Sequence, residues 1–204
     1  MAAFKANFWD ERYSNKDYVY GTKPNRFFQE QLPNVFPIGK LFLPGEGEGR
    51  NAVYAASLGW QVDAFDQSSV AMQKAKKLAE INGVNFNYSI VDLLKFKPKI
   101  NFYDCVAIIF VHLSPEFRNE FHKNIIDSLK LGGRIILELF SKNQFGKNSG
   151  GPQNLEMLYS LEEVKNDFKE LRVLLLEERN VFLNEGDKHS GEASVIQFAG
   201  EKTA

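Results

Sequence analysis

The chain has 204 residues, 44% of them apolar and 25% charged, with a formal net charge of −1; that is an ordinary globular balance, enough for one domain (1–204) with a sizeable core. Near-zero charge supplies no global field to draw in nucleic acid or an anionic membrane. No apolar run reaches the ~20 residues of a membrane span, the opening residues lack the basic-then-apolar order of a signal peptide, and the single cysteine, Cys105, allows no internal disulfide, so a cytoplasmic location is expected.

The first 30 residues are rich in aromatics, among them Trp9, Tyr13, Tyr18 and Tyr20. They suit either a cover over an open core edge or a lid over a ligand. Residues 40–43 are a short apolar strand. Residues 50–58 place Ala52, Val53, Ala55 and Ala56 on one helical face, and Gly59 ends that helix. A strand follows at 61–65, then a helix at 68–81 that stops before Asn82-Gly83. Residues 85–91 alternate like a strand. Residues 104–111 are a nearly continuous apolar run, as in a strand covered on both faces. Ser114-Pro115 opens a helix, serine as cap and proline in the first turn, and Leu131-Gly132-Gly133 closes it. Residues 134–140 form another buried strand. A polar stretch with glycines and a proline, 141–159, reads as a long loop of the functional kind. Ser160-Leu161-Glu162-Glu163 is a capping box opening a helix to about residue 168. Residues 172–182 and 192–200 are strands joined by "LNEGDKHSG" as a hairpin.

Alternating strands and helices predict an α/β, doubly wound, mostly parallel sheet, with the hairpin adding an antiparallel strand at or near one edge. Ligands of such sheets bind beyond the strands' carboxyl ends, so the turns after Leu43, Phe65 and Phe110 hold the candidate site. The first turn is "GEGEGR". Glycine tolerates a tight strand-to-helix turn and lets a ligand touch the main chain. The spacing is G-x-G-x-G, and Arg50 stands where a dinucleotide fingerprint needs its third glycine; no Gly-Lys-Ser/Thr of a P-loop follows. Asp66, at the tip of the second strand, can accept both hydroxyls of a ribose, with Gln67 and Ser68 beside it. Asp92 stands where an acid could accept the exocyclic amine of adenine, and Leu93 could pack against the base. Asn51 can reach a ligand carboxylate.

The G-x-G-x-G turn, an acid about twenty residues on, Asp92 after the third strand and the closing Leu131-Gly132-Gly133 together resemble the class I S-adenosylmethionine-dependent methyltransferases. "WDERY…YVYGTKPN", "GEGEGRNAVYAA", "IIFVHLSPEFR" and "GGPQNLEMLYSLEEV" look like signatures of the small tellurite-resistance and thiopurine branch. The resemblance implies a Rossmann-like sheet of seven strands, the last antiparallel. It implies S-adenosylmethionine as cofactor, with Gly45, Gly47 and Gly49 giving its methionine part access to the backbone. It implies Asp66 on the ribose, Asp92 on the adenine, and Phe110 with His112 walling the methyl-transfer mouth, His112 being the catalytic candidate. Trp9 and Tyr20 then belong to an N-terminal lid (1–30). The family commonly carries an acid two residues before the first glycine; here that residue is Leu43, and Glu46 and Glu48 inside the turn are the candidates for the cofactor's ammonium.

The expected reaction is methyl transfer to a small soluble acceptor: a thiol, a metalloid oxyanion or another metabolite. His112, Phe140, Arg179 and His189 are acceptor-side candidates, though a hairpin loop alone predicts an exposed His189. Histidines 112, 122 and 189 have no ligand spacing, so no metal is expected. A non-catalytic S-adenosylmethionine-binding module and a nicotinamide oxidoreductase are the competing classes.

Overall fold

The computed structural model describes residues 6–204. Seven strands form one sheet: β1 (Lys40–Pro44), β2 (Gln61–Asp66), β3 (Asn87–Ile90), β4 (Tyr103–Ile109), β5 (Leu129–Phe140), β6 (Leu171–Asn184) and β7 (Ser190–Lys202). Their spatial order is β3-β2-β1-β4-β5-β7-β6. The five strands from β3 to β5 run parallel. Only β7 runs against its neighbours, pairing antiparallel with β5 on one side and β6 on the other. The expected fold class therefore forms, with the last strand inserted one place in from the edge.

Successive strand side chains point to opposite faces. The central strands are apolar on both faces, so each alternate set finds a separate core. Phe42, Val106, Ile108, Ile135 and Leu137 pack on one side with Phe121 and Ile125 of α5 (Pro115–Ser128) and Val164 of α6 (Leu161–Asp167). Leu41, Leu43, Cys105, Ala107 and Ile136 pack on the other with Phe27 and Phe28 of α2 (Arg26–Gln31) and Ala52 and Ala55 of α3 (Arg50–Ser57). Each large apolar side chain buried this way contributes ~1.5–3 kcal/mol. Two further helices, α1 (Ala6–Tyr13) and α4 (Ser69–Ile81), meet through Tyr13, Trp9, Val70 and Ala71.

Two expectations need correction. The helix after Ser114 stops at Ser128, not at the glycine pair: Leu129 already pairs with Tyr103, and the register slips before Arg134 pairs with Cys105. Gly132 (φ +77°) and Gly133, whose Cβ would lie 2.8 Å from the Lys130 carbonyl oxygen, thus form a kink inside β5. The buried strand β4 ends at Ile109, because Phe110 takes a left-handed φ of +55°. The stretch 141–159 is shaped by two short 3-10 turns and by a bridge between Ser141 and Tyr159. The capping box is present as read: Ser160 Oγ accepts from Glu163 N–H, and Glu163 accepts from Ser160 N–H.

Candidate active site

A cavity lies where the carboxyl ends of β1, β2 and β4 meet. It is lined by the β1 turn (Gly45, Glu46, Glu48, Arg50, Asn51), by Asp66, Gln67 and Leu93, and by Phe110 and His112. Trp9, Tyr13, Tyr20 and His189 close it from other parts of the chain.

The turn is built from its glycines. Gly45, Gly47 and Gly49 have φ of +65°, +64° and +88°, a region that costs other residues energy. Space matters too: a Cβ on Gly49 would sit 2.7 Å from Ala75 Cβ, and one on Gly47 would sit 2.7 Å from the Tyr13 hydroxyl. Within the turn, Glu46 accepts the N–H groups of Asn51 and Ala52 at 2.8 Å each, so it caps α3. Burial lifts its carboxyl to about 7, even against those hydrogen bonds and Arg50. Glu48 is an ion pair with Lys74 at 2.7 Å and also accepts Tyr20 N–H.

Asp66 spans the two turns. Its Oδ2 accepts Gly47 N–H at 3.1 Å and its Oδ1 accepts Ser68 N–H at 2.9 Å. Gln67 N–H reaches the same carboxylate, so three amides hold its two oxygens and one lone pair is left for a ligand. Burial raises its carboxyl to about 6, with the amides of Ser68, Gly47 and Gln67 opposing. Ser68 itself is the N-cap of α4 and donates to Asp10 at 2.6 Å. Asp92 caps the short turn at Leu93–Lys95 by accepting Leu94 N–H, while Leu93 reaches the cavity.

Arg50 is 7% exposed. Its Nη2 meets Glu185 at 2.9 Å, but its Nη1 is buried with no hydrogen-bond partner among the described residues. A buried guanidinium N–H without a partner is costly unless a ligand satisfies it. Asn51 accepts Asn25 N–H through Oδ1 and donates to Glu46 through Nδ2.

The opposite wall is aromatic. Trp9 stacks on Tyr13, Tyr20 lies 4.5 Å from the His189 ring, and Phe110 stacks on Phe140 at 4.5 Å. His112 faces the cavity, yet both its nitrogens are engaged. Nδ1 lies 2.8 Å from the Met157 carbonyl and Nε2 accepts Phe140 N–H at 3.2 Å. A carbonyl can only accept and an amide can only donate, so Nδ1 carries the proton and Nε2 has its lone pair committed. Burial lowers the imidazole to about 4. This geometry speaks against His112 as the proton-accepting group and makes it a brace between β5 and the loop at Met157.

His189 corrects the expectation of exposure. It is 6% exposed, and its Nδ1 lies 3.3 Å from Glu185 Oε2. Arg179 is on the outer surface, 3.5 Å from Glu177, and Phe140 sits behind Phe110. Glu185 went unrecognised in the sequence; its four-residue spacing from His189 in one short loop was the available signal. Behind this wall Asn25 bridges Glu138 and Glu185, and Gln197 donates to Glu138. Burial raises Glu138 to about 7. Among the described residues no group of acids, histidines and cysteine could hold a metal ion, and no helix is long and apolar enough to cross a membrane.

Residues 44–133 match the family model described as a methyltransferase domain. A tRNA (uracil(54)-C(5))-methyltransferase of Pyrococcus furiosus is 32% identical over 98 residues, which is 39% of this chain. The chain spans only 24% of that relative's length. TehB from Haemophilus influenzae has a similar structure, with a TM-score of 0.72 and 17% identity over 97% of this chain and 67% of that one. So does a SAM-dependent methyltransferase from Methanosarcina mazei, with a TM-score of 0.69 and 15% identity over 84% of this chain and 96% of that one. At such identities these two structures share the fold.

Proposed function

We propose that this chain is an S-adenosylmethionine-dependent methyltransferase acting on a small soluble acceptor. The observation that carries the reading is the join of Asp66, a buried carboxylate held at the cavity by backbone amides, to a partnerless Arg50 Nη1 across one glycine turn. A diol acceptor and a carboxylate donor on either side of a close-approach backbone fit the two ends of an adenosyl amino acid. The methyltransferase-domain match over 44–133 supports the same cofactor.

Asp66 and Gln67 take the ribose and Leu93 lies against the base; Asp92, outside the cavity lining, reaches the amine only by turning its Oδ2 from Lys95, 3.9 Å away. Arg50 and Asn51 face the carboxylate. Glu46 takes the ammonium, since Glu48 is already paired with Lys74. When bound, the cofactor supplies a methyl group already activated by a sulfonium. The chain's own task is then to hold the acceptor in line and exclude water, which alone can accelerate transfer greatly. Trp9, Tyr13, Tyr20 and Phe110 wall the mouth where that happens.

The N-terminal segment acts as the lid of this one-domain enzyme. It is fastened by Asp10 to Ser68 and by Tyr20 N–H to Glu48, and these bonds must open for ligand exchange. A formal net charge of −1 favours a small acceptor over nucleic acid. The buried free Cys105 suits a reducing cytoplasm. Calorimetry tests the reading: S-adenosylhomocysteine should bind and NAD should not. No heat with S-adenosylhomocysteine, or tight NAD binding, would overturn it.

A further inference from the structure

We propose that His189, oriented by Glu185, is the general base of the acceptor site, and that the acceptor is a neutral hydroxyl or thiol that must lose a proton on methylation. This rests on the methyltransferase reading above.

His189 and Glu185 belong to the five-residue loop between β6 and β7, which folds inward over the cavity. Gly186 at φ +82° makes that fold possible: a Cβ there would sit 2.4 Å from the Val19 carbonyl oxygen. The loop is thus pressed against the N-terminal segment. Glu185 N–H donates to the His189 carbonyl at 2.8 Å, closing the loop on itself. Tyr20, Phe110 and Phe140 pack around the imidazole at 4.5, 4.6 and 5.3 Å between ring centres.

The tautomer follows from the partners. Glu185 bonds Arg50 and His189 through Oε2 and Asn25 through Oε1. Burial opposes its charge, but the hydrogen bond to His189 and the Arg50 cation hold its carboxyl at about 2. An ionised carboxylate can only accept, so His189 Nδ1 is the protonated nitrogen. Nε2 keeps its lone pair, has no partner among the described residues, and is not among the sealed polar atoms. His112, the other histidine of the cavity, has no such free nitrogen.

The charged and titratable groups facing His189 are Glu185 on its own loop, Arg50 on α3, Arg12 on α1, Tyr20 and His112. Burial lowers the imidazole, with the Glu185 bond opposing and Arg50 and Arg12 assisting. It is therefore neutral near pH 7, the form a base requires. In the step, the acceptor's O–H or S–H proton passes to Nε2. The oxygen or sulfur lone pair forms the bond to the methyl carbon, and the pair from the breaking carbon–sulfur bond stays on the departing thioether. The imidazolium so formed faces the Glu185 carboxylate. An acceptor that is already an oxyanion gains nothing from this arrangement.

Two measurements test the proposal. Nitrogen-15 NMR of histidine-labelled protein, assigned with His189→Gln, should show a neutral Nδ1–H ring at pH 7, and Glu185→Gln should lower its titration further. An Nε2–H tautomer would overturn the proposal whether or not any cofactor binds. In turnover, His189→Gln should lose ~100-fold or more on phenols and alkyl thiols, and less than about threefold on an aryl thiol ionised at the assay pH. S-adenosylhomocysteine affinity should stay within about threefold. Equal losses on both acceptor classes, or none on either, would overturn the base role, whereas absent S-adenosylhomocysteine binding by the unaltered protein would overturn the methyltransferase reading instead.

Discussion

The two walls of the cavity are assembled at different distances along the chain. The wall assigned to the cofactor comes from the turn at 45–51 and the tip of β2 at 66–67, two neighbouring parallel strands. The acceptor wall joins an N-terminal helix, the turn after β4 and the last hairpin, and the Arg50–Glu185 pair that ties it to the first wall crosses 135 residues of sequence. The near wall is dictated by backbone geometry, the far wall by tertiary contact. The first should therefore be brittle and the second adjustable.

The sharpest way to break the near wall is Gly49→Ala. Its Cβ would meet Ala75 Cβ at 2.7 Å and Cα at 2.9 Å, at φ +88°. Left-handed strain and overpacking together should cost about 3 kcal/mol or more, read from the denaturant midpoint. Next comes Asp66→Ala, which removes the acceptor of the ribose diol and also frees the Gly47 and Ser68 amides that it bridges. S-adenosylhomocysteine affinity should fall by about a hundredfold or more in calorimetry, roughly 3 kcal/mol. An unchanged dissociation constant would take Asp66 out of the site.

The far wall should respond differently. His112→Ala deprives Phe140 N–H and the Met157 carbonyl of their partners. Stability should drop by about 2 kcal/mol, while the pH profile of turnover keeps its shape. Because the folded imidazole titrates at about 4, below its ordinary 6.5, its contribution is present above 6.5 and lost as pH falls toward 4. Glu138→Gln should have the smallest effect. The native carboxyl titrates at about 7, above its ordinary 4.5, so its contribution is present below 4.5 and lost as pH rises through 7. The variant should flatten the melting temperature between those limits.

The same contrast explains what could be read from residues alone. Strand periodicity, the capping box at Ser160 and the G-x-G-x-G turn are local patterns, and each appears where the sequence places it. The kink at Gly132-Gly133 misled because a glycine pair ends a helix and bends a strand by the same backbone freedom. In the sequence Arg50 only displaces the third glycine of a dinucleotide fingerprint; in the fold it is buried and paired with Glu185 from the far hairpin. Read from residues alone, His112 is the catalytic candidate and His189 an exposed loop residue. Only their partners, two backbone groups for one and a carboxylate for the other, separate a brace from a base.

The insertion of β7 between β5 and β6 sets an order of assembly. A chain emerging from the ribosome can lay down the five parallel strands and the glycine turn early, but β6 has no neighbour to join until β7 has been made. Whatever shields the nascent polypeptide must cover the open flank of β5 until then. The acceptor mouth is finished last, so a prematurely halted chain keeps the cofactor crevice without the hairpin that would put it to use.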